Sequence, residues 1–238
     1  MIHQNNSGPV SLSTAPLPRA RNRPEAGCGH ALFDHYKGLV ASLRQPLGEG
    51  NSKPKTVGVT CCGRGDGAST VSANLAVAAH ILGEKVVLLD AHLTRPSLDR
   101  TLSVPLSPGL GDYLDGIASV SECLHGSCVH HLTILPAGTS RGGASEIPDA
   151  ANMASLLGTL RDEFGLIVVD LPPVDEIGDC QLFANQLDGV LLVVAAERVT
   201  AAEAQRAVEQ LYRAGAHLLG AVLNGHRQYL PRWLSRRS

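Results

Sequence analysis

The residues of this chain whose types and spacing could do chemistry are concentrated in one run, Cys61-Cys62-Gly63-Arg64-Gly65-Asp66-Gly67-Ala68-Ser69-Thr70. Closely spaced glycines let backbone N–H groups turn toward one anion, and a helix beginning at Ser69-Thr70 adds unpaired donors and a favourable dipole. The pattern G-x-x-x-x-G-K-[ST] builds a phosphate cradle in this way, with lysine on the β/γ-phosphates and a hydroxyl on Mg²⁺. Here Cys62 stands at the first glycine position and Ala68 at the lysine position, while Ser69 keeps the hydroxyl. Gly63, Arg64, Gly65, Asp66, Gly67, Ala68, Ser69 and Thr70 are therefore the candidate contacts for ATP or ADP with Mg²⁺, held weakly or not at all. Two acids, Asp90 and Asp170, each close an apolar run further along.

Other reactive groups are read two ways. Arg64 could offer its guanidinium to phosphate, or face solvent. Cys62 could have a lowered pKa beside helix-end donors, or be a small half-buried residue. Cys123, His125, Cys128, His130 and His131 are the ligand types of a zinc site. Their spacing matches no common zinc knuckle.

The elements that must position the loop follow from periodicity. Residues 1–29, rich in Ser, Pro, Asn, Gly and Arg, are expected to be a disordered tail. Leu32, Phe33, Tyr36, Leu39, Val40 and Leu43 recur at helical spacing, which predicts an amphipathic helix within residues 30–45, over Ala31–Leu43. Residues 46–54 read as a linker. Strands are predicted at Thr56–Thr60, Val86–Asp90, Leu132–Leu135, Leu166–Asp170, Gly189–Val194 and Leu218–Leu223. Helices are predicted at Thr70–Leu82, Asn152–Phe164, Asp179–Gln186 and Thr200–Arg213, with short pieces near Pro96–Thr101 and Leu110–Leu114. Continuous apolar strands alternating with helices predict an α/β domain over residues 55–224, a mostly parallel β-sheet covered by helices on both faces. Ligands of such sheets sit at the C-terminal ends of the strands, where the Gly-rich loop, Asp90 and Asp170 all fall. Residues 225–238 form a basic C-terminal tail.

Composition narrows the function. A formal net charge of −2 gives no basic surface for neutralising phosphates, so nucleic acid is not an expected partner. The start has no basic stretch followed by an apolar core. The longest apolar stretch, Gly189 to Ala196, is too short to span a bilayer, so a cytoplasmic protein is expected. The six cysteines do not read as a disulfide scaffold in a chain of this length.

With these blocks in hand, the chain resembles the P-loop domains of bacterial tyrosine kinases that govern capsule and exopolysaccharide synthesis, within the MinD/ParA-like superfamily. The similarity spans residues 30–224. It rests on Gly65-Asp66-Gly67-Ala68-Ser69-Thr70 with Ser72-Ala73-Asn74-Leu75-Ala76, Lys85 through Pro96, and Gly109-Leu110-Gly111-Asp112-Tyr113-Leu114-Asp115-Gly116. Leu135-Pro136-Ala137-Gly138 with Ser145-Glu146, Ile167 through Pro173 with Asp179, Leu187 through Val194, and Gly220-Ala221-Val222-Leu223-Asn224 complete it. The resemblance implies a P-loop NTPase-like fold and ATP with Mg²⁺ as cofactor. It also implies a membrane polysaccharide co-polymerase as partner, with recruitment to the inner face of the membrane. By it, Asp170 would order the Mg²⁺ water shell together with Ser69, and Asp90 would align the attacking hydroxyl. The plain reading of both acids is a cap on a buried strand, and of Ser69 a helix N-cap.

The departures from the family fall on chemistry. Ala68 replaces the lysine that neutralises charge in phosphoryl transfer. His92 replaces a second acid, and only Tyr229 stands where a tyrosine cluster is usual. An E-x-x-R-x-x-R assembly motif is represented by Asp34, Lys37 and Val40. The function expected is a catalytically weakened or inactive P-loop subunit regulating polysaccharide synthesis and export. The alternatives are an active ATP-dependent protein-tyrosine kinase or ATPase of the same system, and a MinD/ParA-like positioning switch. The last is disfavoured by Gly63, where that group places a signature lysine. The N-terminal helix is expected to pack on a neighbouring subunit or membrane partner instead of completing the core, the route to a homo-oligomer, and loss of the third charge at Val40 predicts a weaker ring or none.

Overall fold

The computed structural model describes residues 28–45, 53–127, 132–139, 150–176 and 183–225. Residues 1–27 and 226–238 of the expected tails, the 46–52 part of the linker and the 179–182 part of the helix expected over Asp179–Gln186 lie outside these residues. The first helix, α1 (Cys28–Leu43), precedes β1 (Thr56–Cys61), α2 (Ala68–Ile81) and β2 (Val86–Asp90). Three short helices follow, α3 (Leu98–Leu102), α4 (Leu110–Leu114) and α5 (Val120–Cys123), then strands β3 (His125–Gly126) and β4 (Thr133–Leu135). The remainder is α6 (Ala150–Glu163), β5 (Leu166–Asp170), β6 (Gly189–Ala195), α7 (Ala201–Arg213) and β7 (Leu218–Asn224).

The strands form one seven-stranded sheet in the order β3-β4-β2-β5-β1-β6-β7. All pairings are parallel except the β3–β4 hairpin. Every residue of β1, β2 and β5 is buried, which explains why these strands read as unbroken apolar runs instead of alternating ones. One face packs on α4, α6 and α7 through Leu110, Leu156, Leu160, Ala207 and Leu211. The other packs on α1, α2 and α3 through Val40, Leu75, Ala79 and Leu98. The expected parallel α/β sheet with helices on both faces is therefore present. The antiparallel β3 and the one-turn α5 were not anticipated.

Helix α1 departs from its expected role. It begins at Cys28, and Tyr36, Val40 and Leu43 are buried in the same apolar cluster as α2. The reason lies in α2. Ala76 and Ala79 are fully buried, and such small side chains let a second helix approach closely. A helix apolar on several sides must be covered on several sides. Each large side chain so buried contributes about 2 kcal/mol. Arg44 then anchors the end of α1 through a 2.8 Å ion pair to Glu84. Val40, the third position of the assembly motif, is thus a core residue, while Asp34 and Lys37 form an exposed 3.1 Å pair on the outer side. The apolar face of α1 completes this chain's own core, so the expectation that the helix stands apart from the core is corrected, while its outer side with Asp34 and Lys37 stays exposed.

Two polar braces fix the sheet. At the N-terminal end of the strands, Arg161 Nη2 donates to Asp188 Oδ1 at 2.8 Å and to Thr56 Oγ1 at 3.0 Å, while Asp188 Oδ2 accepts from the N–H groups of Lys55 and Thr56. Near the C-terminal end, Asp112 accepts from Gly109 N, Thr139 N and Thr139 Oγ1, tying α4 to the segment after β4. The Gly109–Gly116 block thus organises the backbone.

Candidate nucleotide site

Parallel pairing brings the candidate residues together. Asp90 and Asp170 are register partners on β2 and β5, and Val59 is the partner of Asp170 on β1, whose C-terminus feeds the Gly-rich loop. The loop closes on Gly67, whose φ of +99° is left-handed, a conformation that glycine adopts without steric cost. A Cβ there would lie 2.2 Å from Asn224 Nδ2. No side chain caps α2. Its first N–H groups, with the dipole behind them, face the space an anion would take.

Inside the loop, Asp66 is 4% exposed, and its Oδ2 accepts from Gly63 N at 2.9 Å. Asn224 Nδ2 donates to Asp66 O at 2.8 Å. Ala68 is buried in the apolar layer with Val59, Val71 and Leu75. The site residue after it, Ser69, is half-buried, and Thr70 is exposed. Arg64 lies on the outside, its Nε 3.3 Å from Glu176 Oε1, with Arg95 3.9 Å from the same oxygen. Of its two readings, the solvent-facing one describes this arrangement. Cys61 and Cys62 are not activated thiols: burial first and then the Asp66 charge push them up to about 12 and about 11.

The two acids differ in what they have left to offer. Asp90 Oδ1 accepts from His92 N at 2.9 Å, and Oδ2 accepts from Leu98 N at 3.2 Å and Ser97 N at 3.3 Å. Both oxygens hold the turn into α3, in keeping with the capping reading. Burial still raises its pKa against those bonds. Asp170 Oδ1 accepts from Ser72 Oγ at 2.9 Å, whereas Oδ2 is buried without a hydrogen-bond partner. Burial raises the Asp170 carboxyl to about 7. His92 draws it back, Asp90 pushes it further up, and the hydroxyls of Ser69 and Ser72 ease it.

His92 Nε2 lies 2.8 Å from Leu171 O and 3.8 Å from Asp170 Oδ2. A carbonyl only accepts, so Nε2 carries the proton and offers no lone pair to a cation. The unpartnered Asp170 oxygen and the Ser69 hydroxyl beside it are a donor set of the kind a hard divalent cation takes, oxygen only. Together with the uncapped α2 they fit Mg²⁺-bound nucleotide; Ala68 and His92 do not add to that fit.

Ser72, Arg198 and Asn224 are the contributors that sequence reasoning missed. Ser72 was findable, because it stands four residues after Ala68 on one helix face. Arg198 was not, since it donates from Nη1 to Gly65 O at 2.8 Å and from Nη2 to Arg64 O at 3.4 Å across 133 residues of chain. A cleft of about 390 Å³ opens between the loop and α7, lined by Cys62, Arg64, Asp175, Glu203, Arg206 and Gln210 among others. Away from the site, Cys123 Sγ faces Gly109 O at 3.3 Å and His125 Nε2 faces Pro108 O at 2.7 Å. Cys128, His130 and His131 lie outside the described residues. Among the described residues no three His, Cys, Asp or Glu form a metal cluster, and no helix is long and apolar enough to cross a membrane.

No family model matches the chain. It is 30% identical over 171 residues to tyrosine-protein kinase YwqD of Bacillus subtilis, covering 72% of each chain. To tyrosine-protein kinase CpsD of Streptococcus pneumoniae serotype 4 it is 28% identical over 193 residues, covering 80% of this chain and 83% of that one. The crystal structure of the chimerical protein CapA2B2 superposes with a TM-score of 0.74 at 27% identity, over 82% of this chain and 85% of that one. Septum site-determining protein MinD from Pyrococcus horikoshii, complexed with Mg-ADP, shares the fold with a TM-score of 0.62 at 24% identity, over 73% and 72%. Loop, acids, sheet order and relatives agree: the chain belongs to the bacterial P-loop tyrosine-protein kinase family of capsule and exopolysaccharide synthesis, with a fold that MinD shares.

Proposed function

We propose that this chain is a P-loop subunit that binds Mg²⁺-nucleotide weakly and has lost efficient phosphoryl transfer, regulating polysaccharide synthesis together with a membrane co-polymerase. The carrying observation is Ala68, packed into the core where a lysine would reach the phosphates. Neither neighbouring arginine takes that place. Arg64 pairs with Glu176, and Arg198 donates to loop carbonyls, whereas phosphate is received by N–H groups. Phosphate would rest on the N–H groups of the loop and of the first turn of α2. Ser69 and Asp170 would hold the Mg²⁺, which supplies charge neutralisation to the phosphates. Asp90, with both oxygens on backbone N–H groups, acts as a positioning residue for the β2–α3 turn. Recruitment to the inner membrane face, through the partner, belongs to the same reading.

The names of the relatives favour a second reading, an active ATP-dependent tyrosine kinase, and in that respect the comparisons speak more directly for it than for loss of chemistry. The loss of a charge-assisted contact to lysine is worth about 1.5–3 kcal/mol, or about 10- to 100-fold in affinity. Calorimetric titration of ADP with and without Mg²⁺, beside ATP turnover, separates the readings. Weak Mg²⁺-dependent binding, turnover at the no-enzyme level, and a gain in affinity of that size in Ala68→Lys are expected. Turnover by the unaltered protein well above the blank, abolished by Arg64→Ala, would establish the second reading instead.

A further inference from the structure

We infer that Arg198 is a positioning residue that holds the phosphate loop in its anion-receiving conformation, from the outside. In a loop whose N–H groups converge on an anion, the carbonyls must point outward. Outward carbonyls without partners let the peptide planes rotate, which turns the N–H groups away. Arg198 occupies two of these carbonyls, those of Gly65 and Arg64, and its Nη2 is 3.8 Å from Asp66 Oδ1.

The backbone around Arg198 supports a built contact. Ala195 O accepts from both Arg198 N and Val199 N, forming a tight turn between β6 and α7. Within that turn Glu197 has a φ of +65°, a left-handed conformation that is uncommon outside glycine. The turn is also tied to β7 through Ala196 N donating to Asn224 O at 2.8 Å. The same Asn224 also holds Asp66 O of the loop. A strained turn, stapled to the strand that also grips the loop, delivers a planar fork with two donors in fixed relation. Arg198 adds to the hold of Asp66 and Asn224 on the loop, before any ligand arrives.

The effect on affinity rests on the nucleotide reading above, so the test has one arm that does not. Hydrogen exchange of the full chain without ligand should show the Gly63 and Asp66 amides, the two that are hydrogen-bonded within the loop, exchanging about ten-fold faster in Arg198→Ala, with β1 and β5 unchanged. Arg198→Lys, which keeps one donor and the charge, should recover part of that protection. Calorimetry with Mg·ADP should show a matching loss of about ten-fold in Arg198→Ala, partly restored in Arg198→Lys. The melting temperature should stay at that of the unaltered protein, because the side chain is 60% exposed. Unchanged loop exchange in Arg198→Ala overturns the inference. So does a loss of affinity with unchanged exchange, which would make Arg198 a direct ligand contact. If the unaltered protein takes no ADP, the nucleotide reading fails and the exchange arm still decides the role of Arg198.

Discussion

Replacing Asp170 by asparagine should stabilise the ligand-free protein at pH 8. The carboxylate is fully buried, and one of its oxygens has no hydrogen-bond partner. Its folded pKa of about 7 stands above an ordinary value of 3.8, so between these values the folded state holds a proton that the unfolded state has released. Stability therefore falls as pH rises through that window, is unaffected by this group below it, and bears the full cost above it. At 1.36 kcal/mol per pKa unit, the charging cost at pH 8 is about 4 kcal/mol. His92 and Asp90 share in that balance, and we expect Asp170→Asn to recover about half of it, a rise in melting temperature of about 4–8 °C. Melting curves from pH 5 to pH 8 test this. The gap between variant and unaltered protein should widen with pH, and Mg·ADP should stabilise only the unaltered protein. A variant that melts at or below the unaltered protein at pH 8, or a gap that does not widen, refutes the reasoning.

Further outcomes follow from the braces and the loop. Arg161→Ala should cost about 2 kcal/mol in urea unfolding, since two charge-assisted bonds are lost. Asp188, whose pKa is lowered because backbone N–H groups and Arg161 outweigh its burial, stabilises above about pH 4 and loses that effect as pH falls below it. Gly67→Ala should leave the fold intact but weaken Mg·ADP binding at least about ten-fold by calorimetry, because the added methyl meets Asn224 in a left-handed turn. Val40→Arg, which restores the third charge of the assembly motif, should destabilise by about 3 kcal/mol or more in thermal melts by burying a charge. Light scattering of that variant should show aggregation instead of a defined ring.

The sheet was legible because β1, β2, β5 and β6 are buried on both faces and leave apolar runs that admit little else. The order of the strands was not, since it depends on where each crossover lands. The two-residue β3, carried by His125 and Gly126, has no periodicity to detect. Helix α5 did leave a signal, a Ser119–Glu122 capping box, which is a pattern of helix starts. Val40 shows a different limit. As one letter of an assembly motif it looked like a lost charge, and only the Ala-rich surface of α2 makes it a core position. At the site, the missing lysine was plain from Ala68 alone. That Asp90 is used up by backbone N–H groups, and that Asp170 keeps a free oxygen, depended on neighbours up to 98 residues away.

Strand β1 lies between β5 and β6, and this has a consequence for the timing of synthesis. The loop leaves the ribosome long before the chain that holds it. Its supports, Arg198 and Asn224, are separated from their contacts in it by 133 and 158 residues, and Asp170 is 98 residues from Ser72 of α2. At about 5–20 residues per second, about 7–27 s pass between emergence of the loop and emergence of Arg198. Until β5 emerges β1 is an unpaired apolar strand, and the glycines after it have only the local Gly63–Asp66 contact to set their conformation. A nascent chain stalled before Asn224 should therefore hold no nucleotide, however much of the motif it displays. Any partner that recognises the ordered loop meets only chains whose β7 is already in place.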